Sequence, residues 1–355
     1  MRCVSKLLLQ ASDFEPTFRD LKITGVFNPA VAKHKGKVFL VVRVAEAFAN
    51  NGGTSCPIIV STKSYKVKKH IVPEKEVVKT INGLIYLKEG VCRLRDISHF
   101  RLVELSSDGM KVLKVWQKPF FVGSADEEEY GVEDPRITKI DGRFYMTYVG
   151  VSERKGISTY LASSSDLKIW KRHGLIFQEQ NKDVVLFPRK VKGEFVALNR
   201  PESSIAFRRP SIWISFSRDL VYWGKETPVL LPRKGKWDSE RIGAGTPPIQ
   251  TPKGWLVFYH GVRANAKGKV YSAGAFVLDL RNPRKVLART PANKPLLEPT
   301  APYEKKGTVN NVVFPTGALV GADKESVLLY CGASDSAIAV KKLSIKKVLS
   351  SLEWF

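Results

Sequence analysis

The 355-residue sequence predicts an all-β protein, and within that class a five-bladed β-propeller. Three observations carry this reading. Short runs rich in Val, Ile and aromatic residues recur along the chain, separated by Gly, Asn, Asp and Pro turns. A proline-led hairpin pattern occurs five times. Helix signals are weak everywhere except the tail SIKKVLSSLEWF.

The five hairpins follow in order. They are NPAVAKHKGKVFLVVR from Asn28, DPRITKIDGRFYMTYVG from Asp134, FPRKVKGEFVALNR from Phe187, PIQTPKGWLVFYH from Pro248 and PTGALVGADKESVLLYCG from Pro315. Each starts at or near a proline, runs through a short strand, turns at Gly or Asp/Lys and continues into an apolar strand, which is hairpin chemistry. The prolines at 29, 135, 188, 248 and 315 leave, after a longer first gap, room for one four-stranded unit each. A repeat of that length in an all-β chain points to a propeller. Segments such as SIWISFSRDLVYWGK supply the outer strands. The expectation is one domain over residues 1–355, with an insertion around 50–90 and a short tail over 343–355.

Composition narrows the function. The chain is 43% hydrophobic and 26% charged, ordinary for a globular protein with a buried core. A net charge of +24 favours anionic partners. The basic tract TKSYKVKKHIVPEKEVVK has one aromatic residue and interspersed glutamates, so it reads as a lysine-protected edge strand. No nucleic-acid partner is expected. Cys3, Cys56, Cys92 and Cys331 form no CxxC pair, and the five histidines form no HExxH motif, so neither a metal nor a cofactor is expected. No run of about twenty apolar residues occurs and the N-terminal apolar run is short, which predicts a cytoplasmic protein without a membrane partner.

Antiparallel hairpins bring the start of the first strand and the end of the second together. If five hairpins surround one axis, Asn28 converges with Arg43, Asp134 with Tyr148, Asp183 with Arg200, Arg241 with His260, and Asn310 with Asp335. Taken singly, each has an ordinary structural explanation: an Asx turn for Asp134, a strand end for Arg43 and Arg200, a backbone-bonded histidine for His260, a rim tyrosine for Tyr271. Their convergence at one mouth favours a site. The glycines of WDSERIGAGTPP would let backbone approach a ligand beside Arg241.

Together, FNPAVA, LVVRVAE, ISHFRL, GVEDPRIT, NKDVVLFP, WDSERIGAGTPP, GWLVFYHGV, NVVFPTG and YCGASD resemble glycoside hydrolase family 130, the mannoside phosphorylases, over about Phe27 to Asp335. Within the family they look most like the enzymes acting on β-1,2-linked mannobiose and oligomannosides. The resemblance implies a five-bladed propeller and inverting phosphorolysis, in which a β-mannoside and inorganic phosphate give α-mannose 1-phosphate. It places Asp134 as the general acid. Asn28, Arg43 and Asp335 would hold mannose. Arg200, Arg241, His260 and Tyr271 would grip phosphate, with Asn181 and Lys182 bordering that site. Phosphate is then a co-substrate, the β-mannoside oligosaccharide the other partner, and a homo-oligomer is allowed. Arg241 stands where a lysine is common, and ASD where many members have AAD. The alternatives are an exo-acting β-mannosidase and a glycan-binding propeller without catalysis.

Overall fold

The chain folds as an all-β protein whose strands form five principal antiparallel sheets. The computed structural model describes every residue except 1, 2, 50–53, 82, 206 and 267. The second sheet shows the common pattern: Val132–Ile140, Arg143–Ser152, Gly156–Ser164 and Lys171–Phe177 lie side by side in chain order. The third repeats it with Asn181–Leu186, Phe195–Pro201, Ile212–Ser217 and Trp223–Leu230. In the first sheet the order is Leu21–His34, Lys37–Phe48, Ile97–Leu105 and Val112–Val115. In the fourth, Arg241–Ala244 and Ile249–Thr251 both pair with Gly254–Asn265, followed by Gly268–Leu278, Val286–Arg289 and Glu353–Trp354.

The fifth sheet departs from the simple order. Val313–Val320, Ser326–Ala333 and Ala337–Ser344 come from the end of the chain, and the outer strand is Val4–Gln10 from its beginning. The tail forms the helix Ile345–Ser350, capped by the Ser344 side chain, and then returns as Glu353–Trp354 to the fourth sheet. No helix among the described residues is long and apolar enough to cross a membrane.

Both faces of the sheets are buried, as alternate residues along one strand show. Val184 and Leu186 pack toward the second sheet with Ile140 and Leu161, whereas Val185 packs toward the fourth with Ile242 and Trp255. Five apolar clusters fill the spaces between first and second, second and third, third and fourth, fourth and fifth, and fifth and first sheets. Strand periodicity of two is therefore read out on both sides. This explains the nearly continuous apolar runs such as VFLVV and GWLVFY.

Between Lys37–Phe48 and Ile97–Leu105 the chain leaves the first sheet to form two small ones. Ser55–Ser61 pairs with Lys66–Ile71, and Val77–Ile81, Leu84–Leu87 and Cys92–Leu94 form a three-stranded sheet. These elements run from Ser55 to Leu94, one strand beyond the 50–90 bounds expected from the sequence, and residues 50–53 and 82 lie outside the described residues. Lys66–Ile71 is mostly exposed, as its lysines demand.

Candidate active site

Four of the five first strands are interrupted by a bulge: at Phe27/Ala30, Glu133/Arg136, Lys182/Val185 and Pro315/Gly317. In three of them the bulge places a polar residue in the left-handed region, Asn28 at φ 48°, Asp134 at φ 49° and Asp183 at φ 56°. Asn and Asp tolerate this backbone better than other side chains do. A bulge bends the strand and re-aims a side chain that would otherwise lie on the sheet face. Residues held this way are characteristic of functional sites.

The re-aimed side chains meet in a cavity of about 380 Å³. Nine of the ten sequence-predicted site residues line it: Asn28, Arg43, Asp134, Lys182, Arg200, Arg241, His260, Tyr271 and Asp335. Asn181 does not. It lies buried beneath, donating to Asn199 Oδ1 at 3.2 Å and accepting from the Arg200 amide at 3.2 Å. Tyr148 also departs from expectation. It stands opposite the bulge at Asp134 and packs into the core between first and second sheets, its hydroxyl donating to Glu128 at 2.8 Å. Asn310 instead caps a turn by accepting from the Gly307 amide, while its neighbours Val309 and Val312 reach the cavity wall.

One end of the cavity is organised by Arg43. Asp134 Oδ1 accepts from Asn28 Nδ2 at 2.8 Å and from Arg43 Nη1 at 2.9 Å. Arg43 Nη2 donates to Glu133 at 2.9 Å and Nε to Ser98 Oγ at 2.9 Å, with the guanidinium over the Phe27 ring at 4.5 Å. Burial alone would push the Asp134 carboxyl up, but Arg43, Arg136 and the Asn28 bond outweigh it and hold it below the usual aspartate value. Asp335 and Asp96 have less help. Burial pushes each up to about 6, with Arg43 the main opposing influence.

The other end is cationic. Asp183 anchors it, accepting from Arg200 Nε at 2.6 Å and facing Arg136 Nη2 and His260 Nε2, each at 3.7 Å. Burial opposes ionisation of Asp183, yet Arg200, His260 and Arg136 bring its pKa down to about 2. Burial, reinforced by Arg200, Arg136 and Arg241, lowers His260 to about 3, so its imidazole is neutral near pH 7. Its ring lies 4.3 Å from that of Phe314. Arg241 is the most open of the arginines and faces Glu202 at 3.6 Å; Arg200 Nη1 pairs with the same Glu202 carboxylate. Lys182 Nζ lies 3.6 Å from Glu133, linking the two ends.

Sequence reasoning placed Asp183 at the mouth and noted Arg136 beside Asp134 but gave neither a role, and it missed Asp96. The signal for Asp183 is the repeat itself: NKDVV aligns with VFNPA and VEDPR, putting Asn28, Asp134 and Asp183 in one structural position. Arg136 Nε donates to the Gly245 carbonyl at 2.7 Å, tying the second sheet to the RIGAG loop. The two glycines of that loop do not open backbone to a ligand as the sequence suggested. A Cβ at Gly243 would collide with Asp183 and His260, and one at Gly245 would lie 2.6 Å from the Pro315 carbonyl. They permit close packing of the site's own support. Among the described residues no group of three or more His, Cys, Asp or Glu is placed to hold a metal ion.

Comparison with known proteins agrees with this geometry. Residues 91–353 match the glycoside hydrolase family 130 described as beta-1,4-mannooligosaccharide phosphorylase. The chain is 34% identical to the beta-1,2-mannobiose phosphorylase of Listeria innocua, over 98% of this chain and 96% of that one. It is 41% identical to the 1,2-beta-oligomannan phosphorylase of Thermoanaerobacter sp. over 69% of this chain and 78% of that protein. The solved structure of the Listeria innocua enzyme with beta-1,2-mannobiose superposes with a TM-score of 0.89, covering 99% of both chains at 32% identity. The chain belongs to glycoside hydrolase family 130.

Proposed function

We propose that the protein is an inverting β-mannoside phosphorylase that cleaves β-1,2-linked mannobiose or oligomannosides with inorganic phosphate. The carrying observation is one cavity with Asp134 between Asn28 and Arg43 at one end and Arg200, Arg241, Lys182 and neutral His260 at the other. Phosphate oxygen attacks the anomeric carbon, the glycosidic C–O bond breaks, and the leaving oxygen takes a proton from Asp134. The products are α-mannose 1-phosphate and the released sugar. An inverting hydrolase needs a second carboxylate to activate water. Phosphate is already a nucleophilic anion and needs a cationic grip instead, for which the guanidinium fork is suited. Asn28, Arg43 and Asp335 hold the mannose unit, and Tyr271 completes the phosphate grip with Arg200, Arg241 and His260. Arg43, Arg136 and Asn28 keep Asp134 ionised, so it takes up a proton from solvent as bound sugar excludes water and raises the cost of charge there.

The same reading makes the five sheets the blades of a propeller. Support comes from the cyclic packing of each sheet on the next and of the fifth on the first, and from first strands that all contribute to one cavity. It also makes the chain one domain and, with four free cysteines, a cytoplasmic enzyme.

The test is incubation with β-1,2-mannobiose, with and without phosphate, following α-mannose 1-phosphate by NMR. The expected outcome is product only with phosphate, and faster turnover than on β-1,4-mannobiose. Mannose release that ignores phosphate would make the protein a hydrolase.

A further inference from the structure

The insertion is not an appendage. Its three-stranded sheet forms one wall of the active-site cavity through Gly83, Leu84, Leu94 and the following Asp96. Leu84 and Leu94 are cross-strand partners, so they present a joined apolar surface. Gly83, at φ 77°, turns the hairpin beside Asp96, whose Oδ2 would be 3.8 Å from a Cβ placed there. This wall belongs to the Arg43 end: Asp96 is among the acids that act on Arg43, whereas Arg200, Arg241, His260 and Tyr271 come from the third and fourth sheets.

We propose that this wall is the acceptor-side subsite, with Asp96 accepting hydrogen bonds from hydroxyls of the leaving sugar and Leu84 with Leu94 covering its apolar face. The proposal rests on the phosphorolysis reading and extends it. Inversion requires nucleophile and leaving group on opposite sides of the anomeric carbon. With phosphate held by the third and fourth sheets, the leaving sugar lies on the side away from them. Asp96 and the two leucines line the cavity at the Arg43 end, with Leu94 packed against Val151 and Ile157 of the second sheet. A carboxylate beside an aliphatic patch suits a sugar, whose rim is hydroxylated and whose ring face carries C–H groups. The insertion thereby sets which acceptor is used and how long a chain fits.

The reaction run in the synthetic direction, from α-mannose 1-phosphate and mannose, separates the two sugars. Asp96→Ala is expected to raise KM for acceptor mannose about ten- to hundredfold, the effect of losing a hydrogen bond to a charged group, while KM for α-mannose 1-phosphate stays within about twofold. Leu84→Ala, as a second variant, is expected to change the preference between mannose and β-1,2-mannobiose as acceptors. Equal changes in both KM values for Asp96→Ala, or none, would overturn the subsite, because a purely structural Asp96 acting through Arg43 disturbs donor and acceptor alike. If Asp96→Ala fails to fold, an unchanged acceptor preference in Leu84→Ala overturns it. A wild-type protein that makes no mannobiose from the two substrates would instead overturn the phosphorolysis reading, and the subsite with it.

Discussion

Asp134 and Asp335 are both acids in one cavity, yet their surroundings set them apart. Asp134 has Arg43 and Asn28 in direct contact and is held below the usual aspartate value, whereas burial drives Asp335 up to about 6. Opposite consequences follow on substitution. Asp134→Asn should leave the fold intact and cost turnover about 10²–10⁴-fold, the usual contribution of a general acid; activity within a few-fold of wild type would remove Asp134 from the chemistry. Asp335→Asn should raise the melting temperature at pH 7.5 and leave it unchanged at pH 3.5. The native Asp335 carboxyl binds its proton more tightly than the unfolded chain does, so its charge weakens the fold as pH rises from the ordinary aspartate value of 3.8 through about 6. Asn carries no such charge and accepts the left-handed backbone at φ 49°. The same variant should weaken mannoside binding, so melting and KM would move in a stability–activity trade-off. A melting gain that is equal at both pH values would contradict this account.

At the scale of the elements, the repeat was legible because its signal is local. Each hairpin carries its own proline, turn and apolar second strand; the third differs from the reading, because its first strand, Asn181–Leu186, ends before Pro188 instead of following it. What the sequence concealed was register. The bulge at Asp134 re-aims that carboxylate into the cavity, whereas Tyr148 opposite it stays in a regular ladder on the face that packs into the core. The role of Gly243 in the RIGAG loop was also hidden, because the residues it admits, Asp183 and His260, are 60 and 17 residues away in sequence. Gly243→Ala tests that role. The added methyl would occupy the space of the Asp183 carboxylate and the His260 ring, displacing the anchor of Arg200. The expected result is a folded protein whose KM for phosphate rises at least about tenfold, with charged hydrogen bonds to phosphate misplaced. A variant with wild-type phosphate kinetics would show that the third and fourth sheets can part there without loss.

For the whole molecule, the decisive contact joins the two ends of the chain. Val4–Gln10 pairs along Ala337–Ser344, from Val4 opposite Lys342 to Gln10 opposite Ala337. No local pattern announces a partner more than 300 residues away, so the sequence reading left this strand unassigned. Physically it completes the fifth sheet and places Leu9, 1% exposed, in the cluster that joins that sheet to the first. Without it Ala337–Ser344 becomes an open edge with unpaired amides, and the fifth sheet loses part of its grip on the first. Asp335 sits in the turn leading into that edge, so the Arg43 end of the cavity depends on the same closure. Removing residues 1–10 should therefore lower the melting temperature by roughly 5–15 °C and promote association through the bared edge. Leu9→Ala alone, which keeps the strand but empties its core position, should cost about 2–5 kcal/mol and stay monodisperse relative to wild type. Thermal melting and light scattering on both variants distinguish lost packing from lost pairing. A truncated protein that melts like wild type would mean that the five sheets hold together without the terminal strand.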